Sequence, residues 1–362
     1  MKNPLIVADP LQIDAAWLTM ALRHAGVLGS ANVRGFTRKP VGNGLVADSY
    51  RFVLDYDGDA SDAPRSVVGK FPATDTASRK SGSDHVLYLR EVSFYRELAQ
   101  HFEIHTPRAY VAEVDPDNDN FTLLLADLAP ARQGDQLAGC SVEDARVALR
   151  EIAALHAPRW GDASLETIEW LALRPAKLTA MVDEMLPAII ELYKARYDGV
   201  LEPEFIDLID RLPATIKLSR EDRSTPRTLI HCDFRLDNMM FDVYGGARPL
   251  ATLDWQTLAI GPALTDVAYF LSAGLDADLR RAHEVELVRG YHRELLRRGV
   301  TGFDWDACWR DYRRYTLHGI MMGVFSALSV ERTERGDALF LKMARGACVQ
   351  AIDHDSFAFW EK

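Results

Sequence analysis

Residues 229–241, with the sequence LIHCDFRLDNMMF, decide how this chain is interpreted. Between two apolar runs, this stretch places one histidine, one arginine, one asparagine and two aspartates within eight positions. A turn-rich segment follows, and residues 252–255, TLDW, then put a further acid at the end of a β-type run. Carboxylates at the ends of buried strands are costly unless they meet cations. The sequence therefore predicts a cation-binding site built from these segments.

Three side chains of these segments carry the oxygen ligands that Mg²⁺ prefers: Asp233, Asn238 and Asp254. Mg²⁺ is usually held by one or two protein carboxylates, while water and substrate phosphates complete its coordination. The alternative is that all three residues simply cap turns, which requires three coincidences. The pattern thus favours phosphoryl-transfer chemistry.

The spacing His-x-Asp-x-x-x-x-Asn, followed by an Asp-Trp element, resembles the motifs of aminoglycoside phosphotransferases and choline kinases. The chain is most similar to the ecdysteroid-kinase-like and bacterial aminoglycoside phosphotransferase branch in the segments ADL at 126–128, ALHA at 154–157, LIHCDFRLDN at 229–238 and LDWQTLAIGPALTDVAYFL at 253–271. This resemblance covers about residues 30 to 300. It implies an α+β, protein-kinase-like fold with two lobes: a small antiparallel-sheet N-lobe with one key helix, and a larger, mainly helical C-lobe.

The resemblance also implies roles for individual residues. Asp233 is expected to be the catalytic base that orients the substrate hydroxyl, and Asn238 and Asp254 are expected to hold Mg²⁺. Arg235, two residues after the base, is expected to approach the transferred phosphate. His231 is expected to brace the loop by hydrogen bonds.

Four further positions are interpreted through the same resemblance. Asp266 is expected to anchor the catalytic loop, and Cys232 fills a position where these families usually have glycine. Leu125 and Asp127 flank the strand end whose backbone would grip the purine of the nucleotide. Ala126 stands where this branch often has glutamate, so the choice between ATP and GTP stays open.

The first part of the chain offers independent support for this interpretation. Residues 66–73, SVVGKFPA, read as a strand that carries Lys70, and a helix is predicted over about 83–102. Glu91 lies at helical spacing within an apolar stripe of Leu87, Phe94, Leu98 and Phe102. A carboxylate in such a stripe needs a partner, so a Lys70–Glu91 ion pair is predicted. In kinase-like mechanisms such a lysine contacts the α- and β-phosphates.

The turn at Gly42-Asn43-Gly44 separates two β-rich runs and reads as the tip of a hairpin. Residues 42–47 formally match G-x-G-x-x-A, but a strand follows, whereas a dinucleotide-binding fingerprint must open a helix. A turn that covers the nucleotide phosphates is favoured over a plain tight turn. On that interpretation Gly42 and Gly44 belong to the nucleotide site.

The remaining segments set the expected organisation. A first helix is predicted with Asp14 as its cap, Leu11, Ala15, Leu18 and Leu22 on one face, and Gly26 as its stop. Residues 128–139, LAPARQGDQLAG, read as a flexible connector, and helical patterns fill most of 141–350. We therefore predict a nucleotide-binding lobe over residues 1–126 and a catalytic and substrate-binding lobe over 127–362.

Composition excludes several classes of protein. The chain has 362 residues, a net charge of −11 and 48% hydrophobic residues, which is typical of a folded protein rather than a disordered one. The negative charge argues against nucleic acid polymers and anionic lipid as partners. The apolar run at 319–330 is too short to span a bilayer, and four scattered cysteines fit a reducing compartment, so a cytoplasmic location is expected.

Together these features predict an ATP- or GTP-dependent, Mg²⁺-requiring small-molecule kinase that phosphorylates a hydroxyl group. One alternative is a catalytically silent, nucleotide-binding regulatory protein with the same fold. Another is a strict aminoglycoside-resistance kinase, which would need an acidic acceptor pocket for a polycation. Residues 183–212 are acidic overall but also strongly apolar, and this apolar character favours a bulkier, less charged alcohol as the acceptor.

Overall fold

The computed structural model describes residues 3–42, 46–115, 117–172, 176–329 and 332–361. Within these ranges the strands are Asn32–Pro40 (β1), Ala47–Asp57 (β2), Ser66–Pro72 (β3), Ala109–Val114 (β4), Phe121–Ala126 (β5), Arg132–Gln133 (β6), Arg227–Ile230 (β7), Met239–Asp242 (β8), Arg248–Thr252 (β9) and Ala259–Pro262 (β10). The helices are Ala15–His24 (α1), Thr76–Asp84 (α2), Leu87–Ser93 (α3), Val142–His156 (α4), Glu169–Ala172 (α5), Ala176–Arg196 (α6), Pro203–Glu221 (α7), Val243–Gly246 (α8), Leu264–Gly274 (α9), Ala277–Arg297 (α10), Trp305–Arg314 (α11), Leu317–Ser329 (α12) and Glu334–Asp353 (α13).

The first five strands form one antiparallel sheet in the order β1-β2-β3-β5-β4. The hairpin predicted around Gly42 is present: β1 and β2 pair as far as Pro40 and Tyr50, and the Val41 N–H donates to Ser49 O at 2.9 Å. Gly42 itself has φ +76°, a left-handed value that favours glycine. Gly44 lies outside the described residues.

Helix α1 covers one face of this sheet. The Asp14 carboxylate accepts a hydrogen bond from the Trp17 N–H at 2.7 Å, so the predicted cap is confirmed. Trp17, Leu18 and Leu22 are buried against the sheet core. Leu11, predicted on the same face, is instead 67% exposed, because it lies in a separate 3-10 turn before the helix.

The single helix predicted over residues 83–102 is wrong in its boundaries. Helix α2 comes first, Val86 then adopts φ +59° and breaks the path, and α3 continues as a π-helical turn to Leu98 and a 3-10 turn to His101. Hydrophobic periodicity cannot show one left-handed residue between two helices. The break turns α3 so that Glu91 is buried toward the sheet strand that carries Lys70.

The segment predicted as a flexible connector is packed instead. Strand β6 pairs with β8, and the side chain of Gln136 is fully buried. Its Nε2 donates to Ala273 O at 2.5 Å, and its Oε1 accepts from the Leu236 N–H at 2.8 Å. Polar composition suggested a loop, but both ends of this amide are satisfied inside the molecule.

The remainder of the chain is mainly helical, with the short β7–β10 and β6–β8–β9 sheets inserted. Its large apolar core also includes Tyr88, Val92 and Phe94 from the α3 region, so this core reaches the first sheet. The chain leaves that sheet at Ala126, where the predicted lobe boundary falls; the division at 126/127 stays a prediction. Among the described residues, no helix is both long and apolar enough to cross a bilayer.

Candidate active site

Lys70 lies at the centre of the candidate site, on strand β3. Its Nζ is 2.7 Å from Glu91 Oε2 and 2.9 Å from Asp254 Oδ1. Burial alone would lower the pKa of Lys70, but the two carboxylates outweigh burial and raise it, so the side chain stays charged. The structure thus contains the ion pair that the helical spacing predicts. The contact with Asp254, 184 residues away, was not predicted.

Asp266, on helix α9, binds the backbone of the segment that follows β7. Its carboxylate accepts hydrogen bonds from the backbone N–H groups of His231 at 2.7 Å and Cys232 at 2.9 Å, and it lies 3.2 Å from His156 Nε2. Burial would raise the pKa of Asp266, but these contacts outweigh it and lower the pKa. Asp266 therefore anchors the loop. The His231 ring braces it as well, because its Nε2 lies 2.9 Å from Leu253 O.

Asp233 lies on this loop and is surrounded by donors. The Nε of Arg235 is 3.0 and 3.2 Å from its two carboxylate oxygens, Asn238 Nδ2 donates to Oδ2 at 2.9 Å, and the Tyr269 hydroxyl donates to Oδ1 at 3.1 Å. Burial would raise the pKa of Asp233, but the Arg235 charge and the other contacts lower it. The carboxylate is therefore ionised at neutral pH.

Asp254 begins the second loop of the site, after β9. It has φ +64° and ψ +70°, a left-handed conformation that turns the chain sharply at the end of the strand. The next residue, Trp255, is fully buried and stacks on Phe94, with ring centroids 3.9 Å apart and planes 15° apart. Its Nε1 donates to Thr106 Oγ1 at 3.0 Å. Trp255 therefore joins the Asp254 loop to the helical segment that carries Glu91.

Asn238 and Asp254 are brought together by the backbone. The Leu253 N–H donates to Asn238 O at 2.9 Å, so the loop before Asp254 lies against the Asn238 segment. The described residues contain no group of three or more His, Cys, Asp or Glu side chains arranged to hold a metal ion. One carboxylate and one amide oxygen match a Mg²⁺ site completed by water and phosphate.

The other predicted nucleotide-binding residues lie along the sheet. Gly42 lines a cavity of about 120 Å³ beside the β1–β2 turn. Leu125 is buried in β5, opposite Val68. The Asp127 carboxylate is already bonded, to Arg51 at 2.7 Å and to the Ser66 hydroxyl at 2.7 Å. Only the backbone of Asp127 is therefore left for the predicted contact with a purine.

Sequence reasoning missed Tyr269, Gln136 and the contact between Trp255 and Phe94. Tyr269 belongs to the segment TDVAYFL, whose apolar residues indicate a buried helix. A tyrosine in such a helix needs a partner for its hydroxyl, and that requirement was the available signal. Which partner it meets depends on how α9 packs against the loop.

The protein has a five-stranded antiparallel sheet, a buried lysine–glutamate pair, and two acidic loops that carry Asp233 and Asp254. These features define a kinase-like protein with two lobes. The chain belongs to the ecdysteroid kinase-like family, whose sequence model matches residues 42–299.

Solved structures of similar fold agree with this class. They include choline kinase from Cryptosporidium parvum Iowa II, with TM-score 0.53, 11% identity and coverage of 90% of this chain and 92% of that chain. Ethanolamine kinase from Plasmodium vivax has TM-score 0.52, 10% identity and coverage of 89% and 84%. The ADP-bound aminoglycoside phosphotransferase APH(2'')-Ib has TM-score 0.51, 14% identity and coverage of 94% and 98%. At these identities the likeness shows the fold alone.

One curated relative matches a short segment. Acyl-CoA dehydrogenase family member 10 of Mus musculus is 43% identical over 67 residues. The match covers 18% of this chain and 6% of that protein.

Proposed function

We propose that this protein transfers a phosphoryl group from ATP or GTP to a hydroxyl group of a small molecule, with Mg²⁺ bound at Asn238 and Asp254. The observation that carries the proposal is the position of Lys70, which contacts both Glu91 and Asp254. This contact joins the sheet to the loop of the candidate metal site. Family membership and the fold shared with choline and ethanolamine kinases support the same class of reaction.

In this reaction the acceptor oxygen bonds to the γ-phosphorus while the bond to the β–γ bridging oxygen breaks, and a nucleoside diphosphate leaves. The acceptor proton passes to Asp233 and then to solvent. Because the pKa of Asp233 is lowered, the carboxylate acts mainly by orienting the hydroxyl. That role suits a loose transition state, in which positioning and charge neutralisation supply most of the catalysis.

Arg235 has two partners and can exchange one of them. Its Nε contacts Asp233, while its Nη1 is 2.6 Å from Asp237 Oδ2. When the acceptor hydroxyl takes the place of Arg235 on Asp233, the guanidinium can remain bonded to Asp237 and turn toward the transferred phosphate. This movement frees the acceptor side of Asp233 and adds positive charge where negative charge develops.

Mg²⁺, when bound, would neutralise the phosphate charge and polarise the β- and γ-phosphates. Lys70, Asn238 and Asp254 would position the nucleotide around it. The Lys70 cluster holds two carboxyl groups and one ammonium group, and burial raises the pKa of the Glu91 carboxyl. A cation beside Asp254 would add positive charge to this acidic cluster.

Asp233→Asn tests the function directly. We expect nucleotide binding to stay within about twofold of the parent protein while turnover falls by at least about a hundredfold, the scale of general-base contributions. Nucleotide consumption would be measured with ATP and GTP across aminoglycosides, amino alcohols, sugars and sterols. Asp278→Asn, which alters an almost fully exposed acid, is the matched control. Equal activity of the Asp233→Asn and parent proteins would overturn the assignment.

Asp254→Ala tests whether Asp254 contributes to Mg²⁺-dependent nucleotide binding. We expect it to abolish the Mg²⁺-dependent part of the thermal shift produced by nucleotide, because a ligand stabilises only the state that binds it. A parent protein that binds Mg-nucleotide but phosphorylates none of the acceptors would instead support the silent regulatory alternative.

A further inference from the structure

A cavity of about 240 Å³ lies between helices α4 and α10, and none of the residues assigned above to the active site lines it. Its apolar lining includes Leu149 of α4 and Leu287 and Tyr291 of α10, all three buried. Four arginines also line it: Arg146 and Arg150 from α4, and Arg293 and Arg297 from α10. One carboxylate, that of Glu294 on α10, lines it too. The cavity therefore combines apolar side chains with four guanidinium groups and one carboxylate, in a protein whose net charge is −11.

The four arginines are not equally neutralised. Arg146 pairs with Glu143 and, at 2.8 Å, with Glu286, and Arg297 pairs with Glu294 at 2.6 Å. Across the described ranges, Arg150 and Arg293 contact no acidic side chain within salt-bridge distance. Two positive charges at the rim of this cavity thus face solvent without an acidic partner among the described residues.

The spacing of these arginines works against the stability of the helices. Arg146 and Arg150 are four residues apart on α4, and Arg293 and Arg297 are four residues apart on α10. Like charges at this spacing repel each other on a helix, although the glutamate partners of Arg146 and Arg297 reduce that repulsion. In addition, Gly290 stands in the middle of α10, where glycine is unfavourable, and a Cβ there would meet nothing closer than Arg293 Nη2 at 4.0 Å. A larger side chain at position 290 would have room and would stabilise the helix, yet the chain has glycine there and the cavity stays open.

We propose that this cavity binds a small organic phosphate. A phosphate monoester carries a charge of about −1.5 to −2 at pH 7, which matches the two uncompensated arginines better than a carboxylate does. Guanidinium groups bind phosphate oxygens in a bidentate manner. Since one water molecule occupies about 30 Å³ of the liquid, the cavity has room for roughly eight waters, or for a phosphate and a six-membered ring.

The cavity also contacts a chain of hydrogen bonds that reaches the candidate active site. The hydroxyl of Tyr291, which lines the cavity, is 2.8 Å from His156 Nδ1. His156 Nε2 is 3.2 Å from Asp266, which holds the backbone of the Asp233 loop. The binding proposal does not depend on the proposed catalytic function, but an occupant of this cavity would lie next to the support of that loop.

Phenyl phosphate is the probe for the test, titrated by calorimetry at low ionic strength. We expect saturable binding to the parent protein, and at least about tenfold weaker binding to Arg150→Ala/Arg293→Ala, because charge-assisted hydrogen bonds are lost. Gly290→Leu fills the cavity without changing its charge, so it should weaken binding to a similar degree. Arg65→Ala/Lys217→Ala removes the same charge elsewhere on the surface and should bind as the parent does.

Two further measurements make the test decisive. Lys70→Ala should keep phenyl phosphate binding, which separates this cavity from the candidate nucleotide site. Arg150→Ala/Arg293→Ala should need the same or a higher urea concentration to unfold, because charge repulsion is relieved. Unchanged affinity in both cavity variants, loss of binding in Lys70→Ala, or no binding to the parent protein would each overturn the proposal.

Discussion

At the scale of single residues, the Asp233 carboxylate depends on three side chains for its orientation. Arg235 and Asn238 belong to its own loop, whereas the Tyr269 hydroxyl reaches it from α9. Burial and the neighbouring Asp233 carboxylate raise the pKa of Tyr269, so its hydroxyl stays protonated and donates. Tyr269 is therefore a positioning residue for the proposed base.

Tyr269→Phe removes this donor and keeps the ring that packs edge-on against His318. We expect kcat to fall about tenfold, equivalent to about 1.4 kcal/mol, with the KM for nucleotide unchanged. Steady-state kinetics with both substrates would measure this. Tyr312→Phe removes a buried hydroxyl bonded to Glu284 at 2.8 Å and serves as the control. An equal loss of kcat in both variants would show a merely structural effect.

Cys232 occupies a backbone conformation that suits glycine. Its φ is +65°, which costs an L-residue about 1–2 kcal/mol. We expect Cys232→Gly to raise the free energy of unfolding by up to about 1 kcal/mol and Cys232→Val to lower it, because a β-branched residue fits this region worst. Urea unfolding of the three proteins would test this order. A stability of Cys232→Val equal to that of Cys232→Gly would contradict it.

At the scale of elements, the position of α3 depends on a residue outside the first sheet. Trp255 stacks on Phe94, which follows α3 directly, and Glu91 lies on α3 itself. The stacked rings therefore fix α3, and with it Glu91, relative to the Asp254 loop. In this arrangement one stacked contact connects the candidate metal site to the candidate phosphate-binding lysine.

Trp255→Ala should cost about 3–5 kcal/mol of stability, the usual range for a buried aromatic residue. Because α3 loses its support, nucleotide affinity should also fall, by roughly tenfold, at temperatures where the variant is folded. Trp360→Ala removes another buried tryptophan, near the C-terminus, and should lower stability alone. Calorimetric titration with nucleotide would distinguish the two, and equal affinities in both variants would contradict the role of Trp255.

At the scale of the whole molecule, Asp266 ties three parts of the chain together. It lies on α9, accepts from the loop after β7 and contacts His156 at the end of α4. Its pKa is lowered in the folded protein, so it stabilises the fold at pH values above the unfolded-state pKa of about 3.9. That contribution is lost as the pH falls through the folded-state pKa.

Asp266→Asn should therefore destabilise the protein by about 3 kcal/mol at neutral pH, since it leaves buried groups without their acceptor. The difference from the parent protein should be present at neutral pH and should shrink below about pH 4. Urea midpoints across this range would measure it, with the exposed Asp278→Asn as control. A difference that grows as the pH falls below about 4 would contradict the assigned direction.

The net charge of −11 has to be offset locally wherever a phosphate compound binds. At the candidate active site the carboxylates that contact Lys70 and Arg235 outnumber these two cations, so a bound Mg²⁺ would have to supply further positive charge. At the α4–α10 cavity, Arg150 and Arg293 supply positive charge. Without such local positive charge, the summed field of the acidic protein would repel phosphate compounds.

The sequence by itself predicted the fold class, through the resemblance of its loop motifs to a known family, and the pairing of Lys70 with Glu91, through helical spacing. These features depend on local spacing: a motif lies within a few residues, and a charged residue within an apolar stripe must be buried and paired. The first helix with its Asp14 cap was predictable for the same reason.

Only the tertiary structure decided the rest. The contact of Lys70 with Asp254, the Tyr269 hydroxyl on Asp233, the burial of Gln136 and the break at Val86 join or redirect elements far apart in the chain. Periodicity shows which face of an element is buried, but not which distant element covers it or how it is turned. That choice depends on how all the elements pack together, because each contact competes with many alternatives of similar energy.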